Sequence, residues 1–374
     1  MLFIGEFGER IYLDKRERVI QHPTFYIKSL TRNPRFSSNT IHQYAKSIHY
    51  FCEYVQELGG EEDYLVDELL GAIDGDHIDQ YFTRLKQEGI GASTIRNRDV
   101  AIKGFMEWLT SIESGAVRAE SGYVKGKLKS AASKKKIPRY LTKEEIIQFI
   151  NFLHDESQRC LVQFMFDCGV RISEVPLVKK SDIPNLSNYP EDQMYFDLYI
   201  NGSKGRGGER KPRYTLITRA MIQRINLLHN NWKTYIKSSV KLKDPPCFLN
   251  MHGNPLTGNA IKTMLRDAAL RNNLEPKKYS PHKFRHSFAV SILKSEHGND
   301  RLERLVLAKE ALGHEDIKTT EMYITIPLPV LENMKSLDEA QGIKYRFEES
   351  QEIFERTYKP QKFHTEKRGR RKGR

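Results

Sequence analysis

Thirty consecutive residues, SIESGAVRAESGYVKGKLKSAASKKKIPRY (111–140), hold few large apolar side chains. A segment so rich in Ser, Gly, Ala and Lys buries too little surface to offset the entropy of ordering it into a core. It reads as an interdomain linker ending near Pro138, and it splits the chain of 374 residues into two folding problems.

Upstream the apolar spacing is helical. In NTIHQYAKSIHYFCEYVQELGG the positions Ile41, Tyr44, Ile48, Phe51, Val55 and Leu58 form a one-sided stripe. Thr40 is the predicted N-cap, and Gly59-Gly60 the stop. DHIDQYFTRLKQEG gives a second helix, with Asp76 as cap and Gly89 as terminator. STIRNRDVAIKGFMEWLTS gives a third, capped by Ser93, with Ile95, Phe105, Met106 and Leu109 inward and Arg96 and Arg98 near its start. Before these, RIYLDKRERVI is either a short strand or an extended arm.

Downstream, LTKEEIIQFINFL opens with a capping box, Thr142 with Glu145 three positions on. The apolar helix QRCLVQFMFDCG follows. MYFDLYI (194–200) and KPRYTLI (211–217) alternate as strands do and flank a glycine-rich turn, which predicts a hairpin. Four further helical stretches complete a domain that is mainly α with one small antiparallel sheet.

The formal charge is +13, and two segments carry it. Residues 113–139 hold eight Lys/Arg and two Glu, and residues 359–374 hold eight Lys/Arg and one Glu. Two mobile basic straps on a neutral remainder favour a polyanionic partner, with nucleic acid first. Cys52, Cys160 and Cys168 lie in apolar helical patterns, and none of the four cysteines has zinc-ligand spacing, so a reduced, intracellular protein without a metal is expected. No signal peptide and no run of 18 apolar residues is present, which excludes a membrane-spanning helix.

Several residues have the chemistry to act on a phosphodiester. His282 and Arg285 in SPHKFRHSFAVSIL are three apart on a helix and share a face, a combination suited to an anionic oxygen. Arg171 follows a Cys-Gly break, with Glu174 three residues on as an orienting partner. Lys204, on the glycine-rich turn, could protonate an alkoxide leaving group, and Lys211 could compete for that role. In LGHEDIKTTEMY, His314 precedes Tyr323 by nine positions. A tyrosine hydroxyl is a poor nucleophile unaided, because its proton is held until pH ~10. Two arginines, two histidines and a lysine would supply the charge and the proton transfers it lacks. Each part alone also fits a structural reading: a polar helix face, an Arg–Glu pair, a solvated lysine turn.

The ordered set GVRISEV, lysine hairpin, PHKFRHSFA and LGHEDIKTTEMY resembles the tyrosine recombinases, the phage-type integrase family, over about residues 22–335. The resemblance implies that Tyr323 attacks the scissile phosphate to give a 3′-phosphotyrosine. Arg171 and Arg285 would bind the non-bridging oxygens, and Lys204 would protonate the 5′ oxygen. His282 would move the tyrosine proton, His314 would hydrogen-bond the phosphate, and Glu174 would support from behind. It further implies a helical N-terminal core-binding domain joined to a mixed α/β catalytic domain. Strand exchange would run in a homo-tetramer on two specific sites in duplex DNA, through a Holliday junction, without ATP, metal or cofactor. Accessory DNA-bending proteins or a partner recombinase would fit that scheme.

The implied layout is an N-terminal extension (1–30), a core-site DNA-binding domain (31–112), the basic linker (113–138), the catalytic domain (139–335) and a helical, basic tail (336–374). The DNA contacts expected are Arg96, Arg98, Lys125, Lys127, Lys129, Lys134, Lys135 and Lys136. The tail is expected to dock on a neighbouring protomer. Residues 1–30 are too few for a complete arm-binding domain of the lambda-integrase type. A simpler recombinase or a mobile-element transposase is therefore expected, in a bacterial cytoplasm and associated with the nucleoid. Pro176 departs from the aliphatic residue more usual there, which bears on the placing of Glu174.

Rival readings are a type IB topoisomerase that reseals the same strand, a non-catalytic DNA-binding accessory protein, and an RNA-binding helical protein. All three share the basic surface. If the basic segments grip duplex DNA, log–log plots of affinity against salt will fall with a slope of about −0.9 per neutralised phosphate. A nearly flat line from a filter-binding or fluorescence titration would count against such a grip.

Overall fold

The computed structural model describes residues 2–4, 10–60, 62–130, 140–202, 212–231, 235–236, 242–250, 252–295, 301–313 and 346–360. They fall into two compact units, one reaching Ser130 and the other starting at Tyr140.

The first unit begins with a three-stranded antiparallel sheet, β1 (Leu2–Ile4), β2 (Arg10–Leu13) and β3 (Val19–Ile20), in that order. The β2–β3 turn forms because Asp14 Oδ1 accepts from the backbone N–H groups of Arg16 and Arg18, both at 2.8 Å. Five helices follow: α1 (Gln21–Arg32), α2 (Ser38–Leu58), α3 (Val66–Ala72), α4 (Gly75–Gln87) and α5 (Ala92–Trp108). Tyr12, Ile20, Tyr26, Ile27 and Leu30 are buried in the same core as Ile41, Ile48, Phe51 and Val55 of the α2 stripe, whereas Leu58, at the helix's last position, is exposed. The stretch expected as an N-terminal extension is therefore, from residue 10 on, part of this unit's core, and RIYLDKRERVI is a hairpin.

Three predicted caps are corrected by a few positions. Ser37, not Thr40, caps α2, its hydroxyl accepting from Thr40 N–H at 3.1 Å. Asp74, not Asp76, caps α4, accepting from Asp76 and His77 N–H at 3.0 and 3.1 Å. Gly91, with no side chain to offer, occupies the cap of α5 in place of Ser93. In each case the residue just outside the helix has extended backbone, the geometry a cap needs, and the predicted residue already lies in the first turn.

The linker also differs from expectation as far as residue 130. It lies fastened along the first unit. Asp99, wholly buried on α5, accepts from Ser130 N–H and Oγ–H, both at 2.7 Å, and from the Tyr123 hydroxyl at 2.9 Å. Arg118 donates to the carbonyls of Leu70 and Gly71. Lys129 donates to Gly75 O and Asp79 Oδ2, each at 2.9 Å. A buried carboxylate left without partners is costly, so the three donors hold the strand of chain down.

The second unit packs α6 (Lys143–Asn151), α7 (Glu156–Cys168), α8 (Arg219–Asn231), α9 (Gly258–Arg271), α10 (Pro281–Lys294), α11 (Arg301–Leu312) and α12 (Arg346–Thr357) with one hairpin. That hairpin pairs β4 (Tyr195–Ile200) with β5 (Arg213–Thr218), Tyr195 opposite Thr218 and Ile200 opposite Arg213, as the alternation predicts. The Thr142/Glu145 capping box forms at α6. All four cysteines are buried thiols. None of the described helices is long and apolar enough to cross a membrane.

The tail helix α12 packs on α6, α7 and α8 of its own chain. Polar anchors explain this. The fully buried Arg224 donates to the Thr357 hydroxyl at 2.7 Å, and the Gln163 side-chain amide donates to Ser350 O at 2.9 Å. Ile353 enters the core between them. The preceding VLENMKSLDEA and the basic end after 360 lie outside the described residues.

One glycine governs how α7 ends. Gly169 has φ +60°, and a Cβ there would lie 2.2 Å from the Phe288 ring of α10. Gly169→Ala should therefore destabilise the second unit by about 2–4 kcal/mol, combining overpacking with left-handed backbone strain. Urea unfolding of the two proteins checks it, and equal midpoints would refute the close approach.

Candidate active site

The left-handed turn at Gly169 throws the chain away from α7 and presents Arg171 at the surface of the second unit. Glu174 then holds it twice. The Arg171 backbone N–H donates to Glu174 Oε2 at 2.7 Å, and its Nη1 donates to Oε1 at 2.9 Å. The Glu174 side chain is 0% exposed while that of Arg171 is 34% exposed, so the arginine keeps an open side toward solvent. Pro176 falls within a short 3-10 turn, Val175–Leu177, and leaves this pair intact. Burial pushes the Glu174 carboxyl up, but the guanidiniums of Arg213 and Arg171 outweigh it and hold the group below the usual carboxylate range.

Arg285 arrives from α10. Pro281 sits at the start of that helix, where its missing N–H is harmless, and Phe284 and Phe288 bury its apolar side. Arg285 is buried and donates through Nη1 to Gly169 O at 2.6 Å and through Nη2 to Leu312 O. His282 is one turn earlier. Partial burial of its ring, and then the charges of Arg285, Arg171 and Lys283, lower it from the ordinary histidine value. A neutral imidazole beside two arginines at neutral pH is able to accept a proton. His286 stacks on it with ring centroids 5.5 Å apart and is pushed down to about 4, by burial first and then by His282, Lys283 and Arg285.

The arginines meet at the end of α11. Arg171 Nη2 donates to Gly313 O at 2.9 Å, next to the Leu312 carbonyl taken by Arg285. A third guanidinium takes the carbonyl before these: Arg213 Nη1 donates to Ala311 O, and its Nη2 to Glu174 Oε2 at 2.8 Å. Three successive carbonyls at this helix end are thus capped by three arginines against the negative end of the helix dipole. Arg171 and Arg285, 114 positions apart in the sequence, converge as the motif reading expected. Arg213 was missed. Its signal was present: in the period-2 pattern of β5, Arg213 shares the inward side with Thr215 and Ile217, and an inward arginine needs an acceptor.

His314 follows Gly313 directly and lies outside the described residues, as do Tyr323, Lys204, Lys211, Lys134, Lys135 and Lys136. Among the described residues no three His, Cys, Asp or Glu side chains converge as a metal site would require.

The first unit has its own polar concavity between α2 and α5, lined by Asn39, Gln43, Lys46, Asn97 and Arg98 among others. Arg98 stacks on the Tyr50 ring, 4.4 Å from its centroid, and Arg96 is exposed nearby on α5. Lys125 and Lys127 are exposed on the fastened linker. Lys129 is engaged by Asp79 and sits only 16% exposed, unlike those two neighbours.

Residues 139–327 match the family described as "Phage integrase family", and residues 24–112 match "Phage integrase, N-terminal SAM-like domain". The chain belongs to the phage integrase family. Curated relatives of this integrase include tyrosine recombinase XerD of Staphylococcus haemolyticus, 26% identical over 303 residues, which cover 80% of this chain and 91% of XerD. Tyrosine recombinase XerC of Xylella fastidiosa is 24% identical over 291 residues, or 77% of this chain and 86% of XerC. The fold is similar to that of the XerH site-specific recombinase in its post-cleavage complex, with TM-score 0.59, 18% identity and coverage of 87% and 92% of the two chains. It is also similar to the Tn1549 transposon integrase, with TM-score 0.57, 16% identity and coverage of 85% and 98%. This integrase is accordingly a site-specific recombinase that cuts and rejoins DNA strands, and the topoisomerase and accessory-protein readings give way.

The Glu174 carboxylate supports both Arg171 and Arg213, and its ionisation is linked to folding. A carboxyl held low in the folded state contributes stability above its unfolded value, lost as pH falls through the folded one. Wild-type protein should therefore lose this contribution only on acidification below the usual carboxylate range. Glu174→Gln should be less stable at neutral pH by about 3 kcal/mol, because two guanidiniums lose their counter-charge, and the gap should close in acid. Thermal unfolding across pH checks both the size and the sign.

Proposed function

We propose that this integrase exchanges DNA strands through Tyr323, with the arginine pair of the second unit as its phosphate-binding centre. The observation that carries the reading is the convergence of Arg171 and Arg285 on adjacent carbonyls directly before His314. The Tyr323 oxygen attacks the scissile phosphorus while the bond to the 5′ oxygen breaks. The tyrosine proton passes to His282, and Lys204, or Lys211 in its stead, protonates the departing 5′ oxygen. Arg171, Arg285 and His314 carry the charge that builds on the non-bridging oxygens. The 5′ hydroxyl of another strand, giving its proton back to the lysine, then attacks the phosphotyrosine, and His282 returns its proton to the departing Tyr323 oxygen. One phosphodiester replaces another, so the exchange needs no external energy source.

Duplex DNA is the substrate, gripped by the α2–α5 concavity with Arg96 and Arg98 and by Lys125, Lys127 and Lys134–Lys136. Phosphate contacts of this kind set register, and sequence is read by side chains such as Asn39, Gln43 and Asn97, whose amides match base edges. The assembly is a homo-tetramer joining two sites. The biological outcome is movement of a mobile element by integration, excision or transposition. XerD and XerC are tyrosine recombinases, XerH is a site-specific recombinase and the Tn1549 protein is a transposon integrase, which supports that class of outcome.

The test is a denaturing gel of wild type and Tyr323→Phe after incubation with nicked duplex from the DNA flanking the gene. A covalent protein–DNA band is expected with wild type and at least ~10³-fold less with the mutant, as removal of a nucleophile demands. An equal band from the mutant would rule out Tyr323 as the attacking group.

A further inference from the structure

Among the described residues Arg213 makes no direct hydrogen bond to a side chain that the chemistry above uses, yet it sits at a junction beside them. It lies at the start of β5, with its side chain 7% exposed. Its Nη2 binds Glu174 Oε2 at 2.8 Å, on the carboxylate whose other oxygen binds Arg171 at 2.9 Å. Its Nη1 binds Ala311 O, at the end of the helix that leads into His314. Its stem also fills the space beside Gly313, where a Cβ would lie 2.5 Å from Arg213 Cδ and where φ is +60°.

We propose that Arg213 is a positioning residue for recombination, setting Arg171 through Glu174 and setting the approach to His314 through the end of α11. This rests on the reading of Arg171 and His314 as phosphate-binding groups.

A purely structural ion pair is the plainer account, and two observations weigh against it. A buried Arg–Glu pair adds little stability over apolar side chains of the same volume. Arg213 is also an imperfect fit, since its Nε is buried with no hydrogen-bond partner among the described residues. What the guanidinium does offer is geometry. Its planar fork spans a carboxylate on one side and a helix carbonyl on the other, which fixes the distance between Glu174 and Ala311. An ammonium keeps the charge but is a single point and cannot hold both in one plane.

Arg213→Lys therefore separates the two accounts. With nicked duplex from the DNA flanking the gene, the variant should bind DNA as wild type does but form the covalent adduct about 10²-fold more slowly in single turnover, the scale of a 1 Å misplacement. Amide hydrogen exchange over residues 309–313 should accelerate in the DNA-free variant while exchange in the first unit stays unchanged. Arg213→Gln, tested in parallel, should show the same split between affinity and rate.

Adduct formation at the wild-type rate in a folded Arg213→Lys overturns the proposal. So does unfolding of both variants, because Arg213 would then serve the fold alone. If wild type binds the duplex and forms no adduct, the recombinase reading of Tyr323 fails separately. Exchange then decides Arg213: unchanged protection over 309–313 overturns its positioning role, and faster exchange there sustains it.

Discussion

The second unit depends on the way one helix ends. The last carbonyls of α11 have no partners within the helix, and burying them unsatisfied would cost several hydrogen bonds. Arg213, Arg285 and Arg171 supply the donors to Ala311, Leu312 and Gly313 in turn. They come from a strand, a helix and a post-helical turn far apart in the chain. Satisfying one helix end therefore locks three elements into register and leaves a cluster of positive charge beside it. Glu174 neutralises part of that charge from beneath, fully buried between two of the three guanidiniums. The remainder faces the side on which Arg171 is open to solvent, where an anion would be drawn in.

This arrangement makes structure and chemistry hard to separate. The guanidinium groups proposed to bind a phosphate are the same groups that close the helix. Gly169 shows the coupling at one atom. Its left-handed backbone lets Phe288 pack against it, aims Arg171 outward and presents a carbonyl to Arg285. A side chain at that position would disturb both arginines at once, by displacing the helix that carries one and the turn that carries the other.

Buried polar groups do similar work elsewhere. Asp99 draws the linker onto the first unit through Ser130 and Tyr123, so the lysines up to residue 129 are placed by the fold. Arg224, with no solvent exposure, ties Glu156, Gln163 and Thr357 and so seats the tail helix on its own unit. Both anchors join segments distant in sequence, and a segment dense in Ser, Gly and Lys gives no local sign that a buried carboxylate elsewhere will claim it.

Much of the architecture was legible from periodicity. The α2 stripe, the capping box at Thr142 and Glu145, the alternation of β4 and β5 and the apolar α7 each depend on neighbours within one or two turns, and local spacing encodes such contacts. Cap positions slipped by two or three residues because the cap is decided by backbone geometry just outside the helix, to which composition is nearly blind. The pairing of Arg171 with Glu174 was legible for the same local reason, at a separation of three. The motifs also sufficed to place the chain among the integrases. Only the tertiary structure decided that Arg171 and Arg285 share one helix end, that Arg213 completes the set, that the linker lies fastened as far as Ser130, and that helix α12 packs on its own unit. These rest on hydrogen bonds between residues tens to hundreds of positions apart. Such pairs are chosen by which buried donors and acceptors face each other once the helices have packed, a choice that no local pattern in the sequence records.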